Sequence, residues 1–295
     1  MRRIMNAALA LAALILATAG PGWTAVYANP QFLVDTDWLA RHLSDPDLRI
    51  IDMRNQQEEY AAGHIPGASY VAVNHTRLAL KEPGFILPPD YEIEEMLGQL
   101  GITPETIVVM YDEMGGLNAS RLFFTLDYID HKKMALLNGG VTKWVGEGRP
   151  LSKEVPPVKA AVYRVRTETR RVASSRWILA NLGKPYLSLV DARSPKEFSG
   201  EDVRAKRGGH IPGAVNIEWT QNLKADKTFK PGDELFVLYE KSGVTKDKTV
   251  VAYCQTMHRA ALAYFTLRLL GYPNVRGYDR SWSEWGNDAR FPIEQ

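Results

Sequence analysis

Cysteine is nearly absent from this chain of 295 residues: Cys254 is the only one. A single thiol excludes an internal disulfide, which leaves an inert buried group, an intermolecular bridge or a reactive site. Charge of one sign is also lacking. With 36 basic and 34 acidic residues the formal charge is +2, so no global field argues for nucleic acid or a membrane surface as partner. Beyond the first segment no apolar run approaches the roughly 20 residues needed to span a bilayer. A hydrophobic content of 45% excludes disorder as the main state and suffices for two ordinary globular domains.

The first segment is different. Arg2 and Arg3 precede an apolar stretch from Met5 to Ala19, followed by Gly20-Pro21-Gly22 and the small-residue pattern Val26-Tyr27-Ala28. This order predicts a signal peptide over residues 1–28 and export to the periplasm or the exterior. A retained anchor is the alternative, weakened by the shortness of the apolar run.

What the chain does have is a repeat. Ile51-Asp52-Met53-Arg54, then Glu59-Tyr60, then His64-Ile65-Pro66-Gly67-Ala68 recurs as Val190-Asp191-Ala192-Arg193, Glu197-Phe198 and His210-Ile211-Pro212-Gly213-Ala214. Val108 to Tyr111 matches Val250 to Tyr253, Phe124-Thr125-Leu126 matches Phe265-Thr266-Leu267, and Gly139 with Trp144 is paired with Gly277 and Trp282. Each copy alternates short β-branched runs with helical patterns: strand at 48–53 and helix at 118–130, then strand at 248–253 and helix at 259–270. Such alternation predicts an α/β fold with a mostly parallel sheet and helices on both faces. Residues 151–172, with Pro156-Pro157 and alternating Val and Arg, read as an extended linker or an edge strand between domains at 30–150 and 173–295.

Cys254 falls where the strand ending at Tyr253 has stopped and the helix from Arg259 has not begun. Ligands of open parallel sheets bind beyond the carboxyl ends of the strands. Backbone N–H groups of the loop Cys254-Gln255-Thr256-Met257-His258-Arg259 are expected to curl around the sulfur, with a helix N-terminus behind them, a setting that favours the nucleophilic thiolate. Placement therefore favours a reactive cysteine over an inert one.

The paired His-Ile-Pro-Gly-Ala segments, the Asp-x-Arg strands, the Cys254–Arg259 loop and the closing Gly277-Tyr278-Asp279-Arg280-Ser281-Trp282-Ser283-Glu284-Trp285 resemble the tandem rhodanese family over residues 30 to 295. The resemblance implies two rhodanese-like domains, with only the C-terminal one catalytic. It implies a thiosulfate sulfurtransferase in which Cys254 takes a sulfane sulfur from a small anionic donor and passes it to cyanide or another thiophilic acceptor, with no metal or organic cofactor. Tyr111-Asp112 stands where Tyr253-Cys254 stands in the second copy, and aspartate cannot carry sulfane sulfur. A metal or phosphate site at Asp112 and Glu113 is the competing reading of that loop.

Substrate contacts are expected from Gln255, Thr256, Met257, His258, Arg259 and Arg193. Arg259 is expected to tie loop carbonyls or Asp191, a structural residue of the site, and Arg193 either pairs with Asp191 or faces the donor. His210, repeated as His64, reads as a turn-stabilising residue. Arg204, Lys206 and Arg207 form either an anion-steering patch or a solvated loop, and Trp219, Trp282 and Trp285 read as core or cleft wall. Two departures from the family pattern concern the donor: Gln255 and Thr256 replace both the cationic and the small-residue versions of the loop, and Glu197 occupies a position where some relatives place a substrate-binding arginine. Thiosulfate is preferred to 3-mercaptopyruvate because Gln255, Thr256 and His258 can donate to sulfonate oxygens. A sulfur-carrier module is the other reading, and a cysteine phosphatase is disfavoured because Cys254 and Arg259 enclose only four residues. Two internal domains make a monomer the default.

Overall fold

The computed structural model describes residues 27–82 and 84–295, so the expected signal peptide, apart from Tyr27 and Ala28, lies outside the described residues. The first half runs β1 (Leu33–Val34), α1 (Thr36–His42), β2 (Leu48–Asp52), α2 (Gln57–Ala62), β3 (Ala68–Tyr70), β4 (Leu78–Ala79), β5 (Phe85–Ile86), α3 (Asp90–Gln99), β6 (Ile107–Tyr111), α4 (Leu117–Tyr128), β7 (Met134–Leu137) and α5 (Gly140–Gly146). The second runs α6 (Ser175–Asn181), β8 (Leu187–Asp191), α7 (Pro195–Ser199), β9 (Ala214–Asn216), α8 (Gly232–Lys241), β10 (Thr249–Tyr253), α9 (Arg259–Leu269), β11 (Val275–Gly277) and α10 (Ser281–Trp285).

Two parallel sheets result, in the orders β1-β7-β6-β2-β3 and β11-β10-β8-β9, with β4 and β5 forming a separate antiparallel hairpin. Strands β6 and β10 read as near-continuous apolar runs because both faces of their sheets are covered. One face of the first sheet packs under Leu39 of α1 and Trp144 of α5, and one face of the second under Ile178 of α6 and Trp282 and Trp285 of α10. Between the sheets lie α4 and α9, back to back.

The sequence placed Ala260, Ala263, Tyr264, Leu267 and Leu270 on one inward face of α9. The structure buries Ala261, Leu262, Phe265, Thr266 and Leu269 as well. Residues of both sets meet the other domain: Phe123 and Phe265 pack edge to face at 4.9 Å, and Phe124 and Tyr264, the latter from the expected inward face, at 5.0 Å. A helix apolar all round must be buried all round. Arg121 of α4 adds a buried ion pair with Asp279 at 2.7 Å, and Tyr264 donates to Asp127 at 2.5 Å.

Duplication extends to the hydrogen bonds. Arg54 clamps Asp52 and the Gly63 carbonyl, as Arg193 clamps Asp191 and the Gly209 carbonyl. The Tyr111 and Tyr253 phenols accept from the amides of Ile65 and Ile211. His64 and His210 stack on Tyr60 and Phe198 and bond their carbonyls, the same turn-holding arrangement twice.

One sequence pairing shifts. The indole of Trp144 donates to Pro150 O as that of Trp285 donates to Pro292 O, and Val141 N donates to Asp112 O as Trp282 N donates to Cys254 O. Trp144 is therefore the counterpart of Trp285, not of Trp282, and Gly140 is the counterpart of Ser281. Tryptophan recurs within three residues in the second copy, so identity alone chose the wrong one.

Residues 151–168 form no regular strand and lie along the first domain, with Ala161 N donating to Gly98 O and Glu168 N to Tyr128 O. Tyr27 donates to Lys230 O, fastening the start of the described chain to the second domain. No helix among the described residues is long and apolar enough to cross a membrane.

Candidate active site

Strand β10 delivers Cys254 to the carboxyl edge of its sheet, and α9 begins five residues later, so residues 254–258 form a tight loop between them. Its curl is imposed by Met257, at φ 57°, a left-handed conformation that costs a non-glycine residue about 1–2 kcal/mol. Ser281, at φ 50°, holds the loop from below: its hydroxyl accepts from Cys254 N at 3.3 Å and Met257 N at 3.0 Å and donates to Tyr278 O at 2.7 Å. Trp282 N and Ser283 N then donate to the carbonyls of Cys254 and Gln255 at 2.9 and 3.0 Å. Two loop amides and two carbonyls are thus fixed by the start of α10.

The amides of Gln255, Thr256, His258, Arg259 and Ala260 have no acceptor among the described residues. None of them donates to Sγ itself, contrary to the expected curl around the thiol sulfur. Cys254 is 1% exposed.

In the first copy the equivalent loop holds an anion of its own. Asp112, buried, accepts from Met114 N and Gly116 N on one oxygen, both at 2.8 Å, and from Asn118 N and Ala119 N on the other at 2.7 and 3.0 Å. Burial pushes the Asp112 carboxyl upward while these four donors oppose it. Both oxygens are fully engaged inward, so the competing reading of a metal site at Asp112 and Glu113 fails. Gly115 and Gly116, left-handed at φ 82° and 96°, stand where the second copy has Met257, and in the register that pairs Phe124 with Phe265, Asn118 and Ala119 match Arg259 and Ala260.

The side chains expected to meet substrate divide. Thr256 is partly exposed with no internal partner, and Gln255 reaches Arg204 O with its amide nitrogen at 3.0 Å. Met257 turns its fully buried side chain inward against Gly277. Arg193, 1% exposed, is spent on Asp191 at 2.6 Å, on Gly209 O and on the face of Trp282 at 4.5 Å, so of its two readings the structure gives the pairing with Asp191.

Arg259 binds neither loop carbonyls nor Asp191. Its guanidinium forms a two-pronged pair with Glu197 at 2.5 and 2.8 Å. Burial works against the Glu197 charge, but the Arg259 bonds prevail and hold it down at about 2. Glu197 is set by the Ser194 capping box at the start of α7.

His258 donates Nε2–H to Asn118 Oδ1 at 2.7 Å across the domain boundary. The tautomer follows because the Asn118 amide nitrogen donates to Met53 O and Asn55 Oδ1, leaving its oxygen as acceptor. Burial, reinforced by Arg77, Arg121 and Arg259, pushes the imidazole down to about 3, so it is neutral. Its Nε2–H is therefore not free for a sulfonate.

Of the basic run, Arg207 is clamped on the carbonyls of Trp285, Asp288 and Phe291, whereas Arg204 and Lys206 remain exposed. Trp282 and Trp285 are core, and Trp219 is half-buried. Sequence reasoning missed Ser281, Asn118 and Arg77. Ser281 lay inside the quoted closing segment but had no counterpart side chain in the first copy, and the other two come from the non-catalytic half.

Comparison with known proteins agrees with this geometry. The rhodanese-like domain family matches residues 35–147 and again 174–288. A thiosulfate sulfurtransferase of Azotobacter vinelandii is 39% identical over 268 residues, 91% of this chain and 98% of that protein. The sulfur carrier protein TtuD of Thermus thermophilus is 40% identical over 282 residues, 90% and 98% of the two chains. Among solved structures, the anaerobic ergothioneine biosynthesis enzyme from Chlorobium limicola, in complex with its natural substrate trimethyl histidine, superposes with a TM-score of 0.81 at 26% identity, covering 90% of this chain and 70% of that one. With a doubled sheet, a doubled clamp and both halves matched, the chain belongs to the rhodanese family.

Proposed function

We propose that this protein is a thiosulfate sulfurtransferase acting through a persulfide on Cys254. The observation that carries the reading is the Asp112 loop. A carboxylate oxygen stands two bonds from Cβ, as does the outer sulfur of a cysteine persulfide, and in the first copy the amides of Asn118 and Ala119 converge on one such oxygen. The second copy presents the matching amides of Arg259 and Ala260 without an acceptor, so its cradle fits the outer sulfur rather than Sγ.

The Cys254 thiolate attacks the outer sulfur of thiosulfate, an S–S bond forms, and the bond to the sulfonate group breaks with its electron pair leaving on sulfite. The negative charge now sits on the outer sulfur, where fixed amide dipoles meet it without reorganising. Cyanide or a small thiolate then attacks that sulfur and the pair returns to Sγ, a double displacement with ping-pong kinetics. Neutral His258 is a positioning group and moves no proton.

Purified protein with thiosulfate and cyanide is expected to form thiocyanate, and Cys254→Ala to form none; turnover by Cys254→Ala would refute the reading. A second reading, a sulfur carrier, draws on the similarity to TtuD and on the 1% exposure of Cys254. It predicts a stable one-sulfur mass increase on Cys254 with no turnover. Thiosulfate is preferred to 3-mercaptopyruvate, and a kcat/KM comparison of the two donors decides it. Export rests on Arg2, Arg3 and the apolar Met5–Ala19 run, and N-terminal sequencing of periplasmic protein tests it. A monomer is expected and is read from light scattering.

A further inference from the structure

Three arginines packed around the residues that build the cysteine loop have their charge cancelled at close range. Arg193 is paired with Asp191, Arg259 with Glu197 and Arg121 with Asp279. Arg77, from the N-terminal domain, is different. Its Nε and Nη2 both donate to the neutral Asn74 Oδ1, at 3.0 and 2.7 Å, and its guanidinium lies 4.2 Å over the Phe85 ring. No carboxylate pairs with it among the described residues, and its Nη1 makes no hydrogen bond there.

The segment that carries Arg77 is tied down on the residues that hold the cysteine loop. Thr76 O accepts from Arg121 at 3.2 Å, Leu87 N donates to Asp279, Glu82 pairs with Arg280 at 3.2 Å, and Gly84 packs so closely that a Cβ there would lie 2.7 Å from Ser283 Oγ. Asp279, Arg280 and Ser283 flank Ser281, whose hydroxyl carries Cys254 N. The segments that carry β4 and β5 therefore pack on the residues around Ser281, with Arg77 just before β4. Arg77 is also held below its ordinary value by burial and by Arg121, while Cys254 opposes that drop.

We propose that Arg77 binds the anionic sulfonate end of the sulfur donor, so that the domain without a nucleophile supplies the recognition charge of the site. The inference rests on the sulfurtransferase reading and deepens it. Residues on the cysteine loop offer neutral Gln255 and Thr256 and a neutralised Arg259, so a dianion meets no uncompensated side-chain charge from the catalytic domain's own loop. A planar guanidinium already oriented by Asn74 and Phe85 presents its free edge at small entropic cost.

The test compares wild type, Arg77→Gln and Arg77→Lys in two assays. In the first, Cys254 is alkylated with anionic iodoacetate and with neutral iodoacetamide. The ratio of the two rates is expected to fall about tenfold in Arg77→Gln and to stay near wild type in Arg77→Lys. In the second, the KM for thiosulfate is expected to rise about tenfold in Arg77→Gln with kcat within about twofold. Unchanged alkylation ratio and KM in Arg77→Gln overturn the proposal. A lowered kcat and Tm with the ratio retained also overturns it, as a structural role would. If the wild type makes no thiocyanate, the sulfurtransferase reading fails, while the alkylation ratio still decides Arg77.

Discussion

The same loop is built twice in this protein, once around a carboxylate and once around a thiol, and the two differ in who satisfies the backbone. Around Asp112 the side chain itself accepts four amides, so the loop is closed and complete. Around Cys254 a short side chain accepts none. Ser281, where the first copy has Gly140, supplies the missing acceptor for two amides and leaves the rest open toward the cleft. One loop is finished by its own residue, and the other is finished only by what binds there.

Breaking this comparison at its two centres should give the largest effects. Cys254→Asp, which installs the first copy's anion in the second, is expected to abolish thiocyanate formation yet exceed Cys254→Ala in stability by about 1–2 kcal/mol in urea unfolding. A variant less stable than Cys254→Ala would deny that the loops are equivalent. Asp112→Ala strands four buried amides and should cost about 4 kcal/mol or more, read as a lower denaturation midpoint with little change in kcat for protein that remains folded. Ser281→Ala leaves only the amides of Cys254 and Met257 without their acceptor. A loss of about 1–3 kcal/mol together with a drop in kcat is expected, because the loop it frees carries the nucleophile.

Acid sharpens the contrast further, since only the second loop is braced by Glu197. Its carboxyl is depressed to about 2 in the fold, so the stability it contributes is present above its unfolded value near 4.5 and is lost as pH falls toward 2. Glu197→Gln should remove up to about 3 kcal/mol of this pH-dependent stability, measured as a flatter acid limb of the unfolding curve. His258 acts with the same sign but from a higher pH. Held neutral down to about 3, it destabilises the fold as pH drops below about 6.5, because the unfolded chain binds a proton that the folded chain refuses. His258→Gln, which can keep the donor to Asn118, should weaken the fall in stability between pH 6.5 and 4.

Much of this was legible in the residues. The repeated Asp-x-Arg and His-Ile-Pro-Gly-Ala segments specify local clamps that each copy builds from its own nearby chain, so reading one copy predicts the other. Strand and helix limits around Cys254 came within a residue, because β10 is an unbroken apolar run and Gly271 stops α9. Partners distant in the chain were not legible: Arg259 meets Glu197 across 62 positions, and His258 meets Asn118 across 140. Nor was the full burial of α9, since its second apolar face becomes intelligible only once α4 lies against it.

By itself the sequence determined that a sole cysteine stands at a strand-to-helix junction in one copy of a duplicated α/β domain, with an aspartate at that place in the other. Periodicity and repetition are local properties, and local properties survive in one dimension. Only the tertiary structure decided which amides stay open, which arginines are already neutralised, and that the segment carrying Arg77 packs on the catalytic domain. Those outcomes depend on distances between groups far apart in the chain, and packing sets such distances.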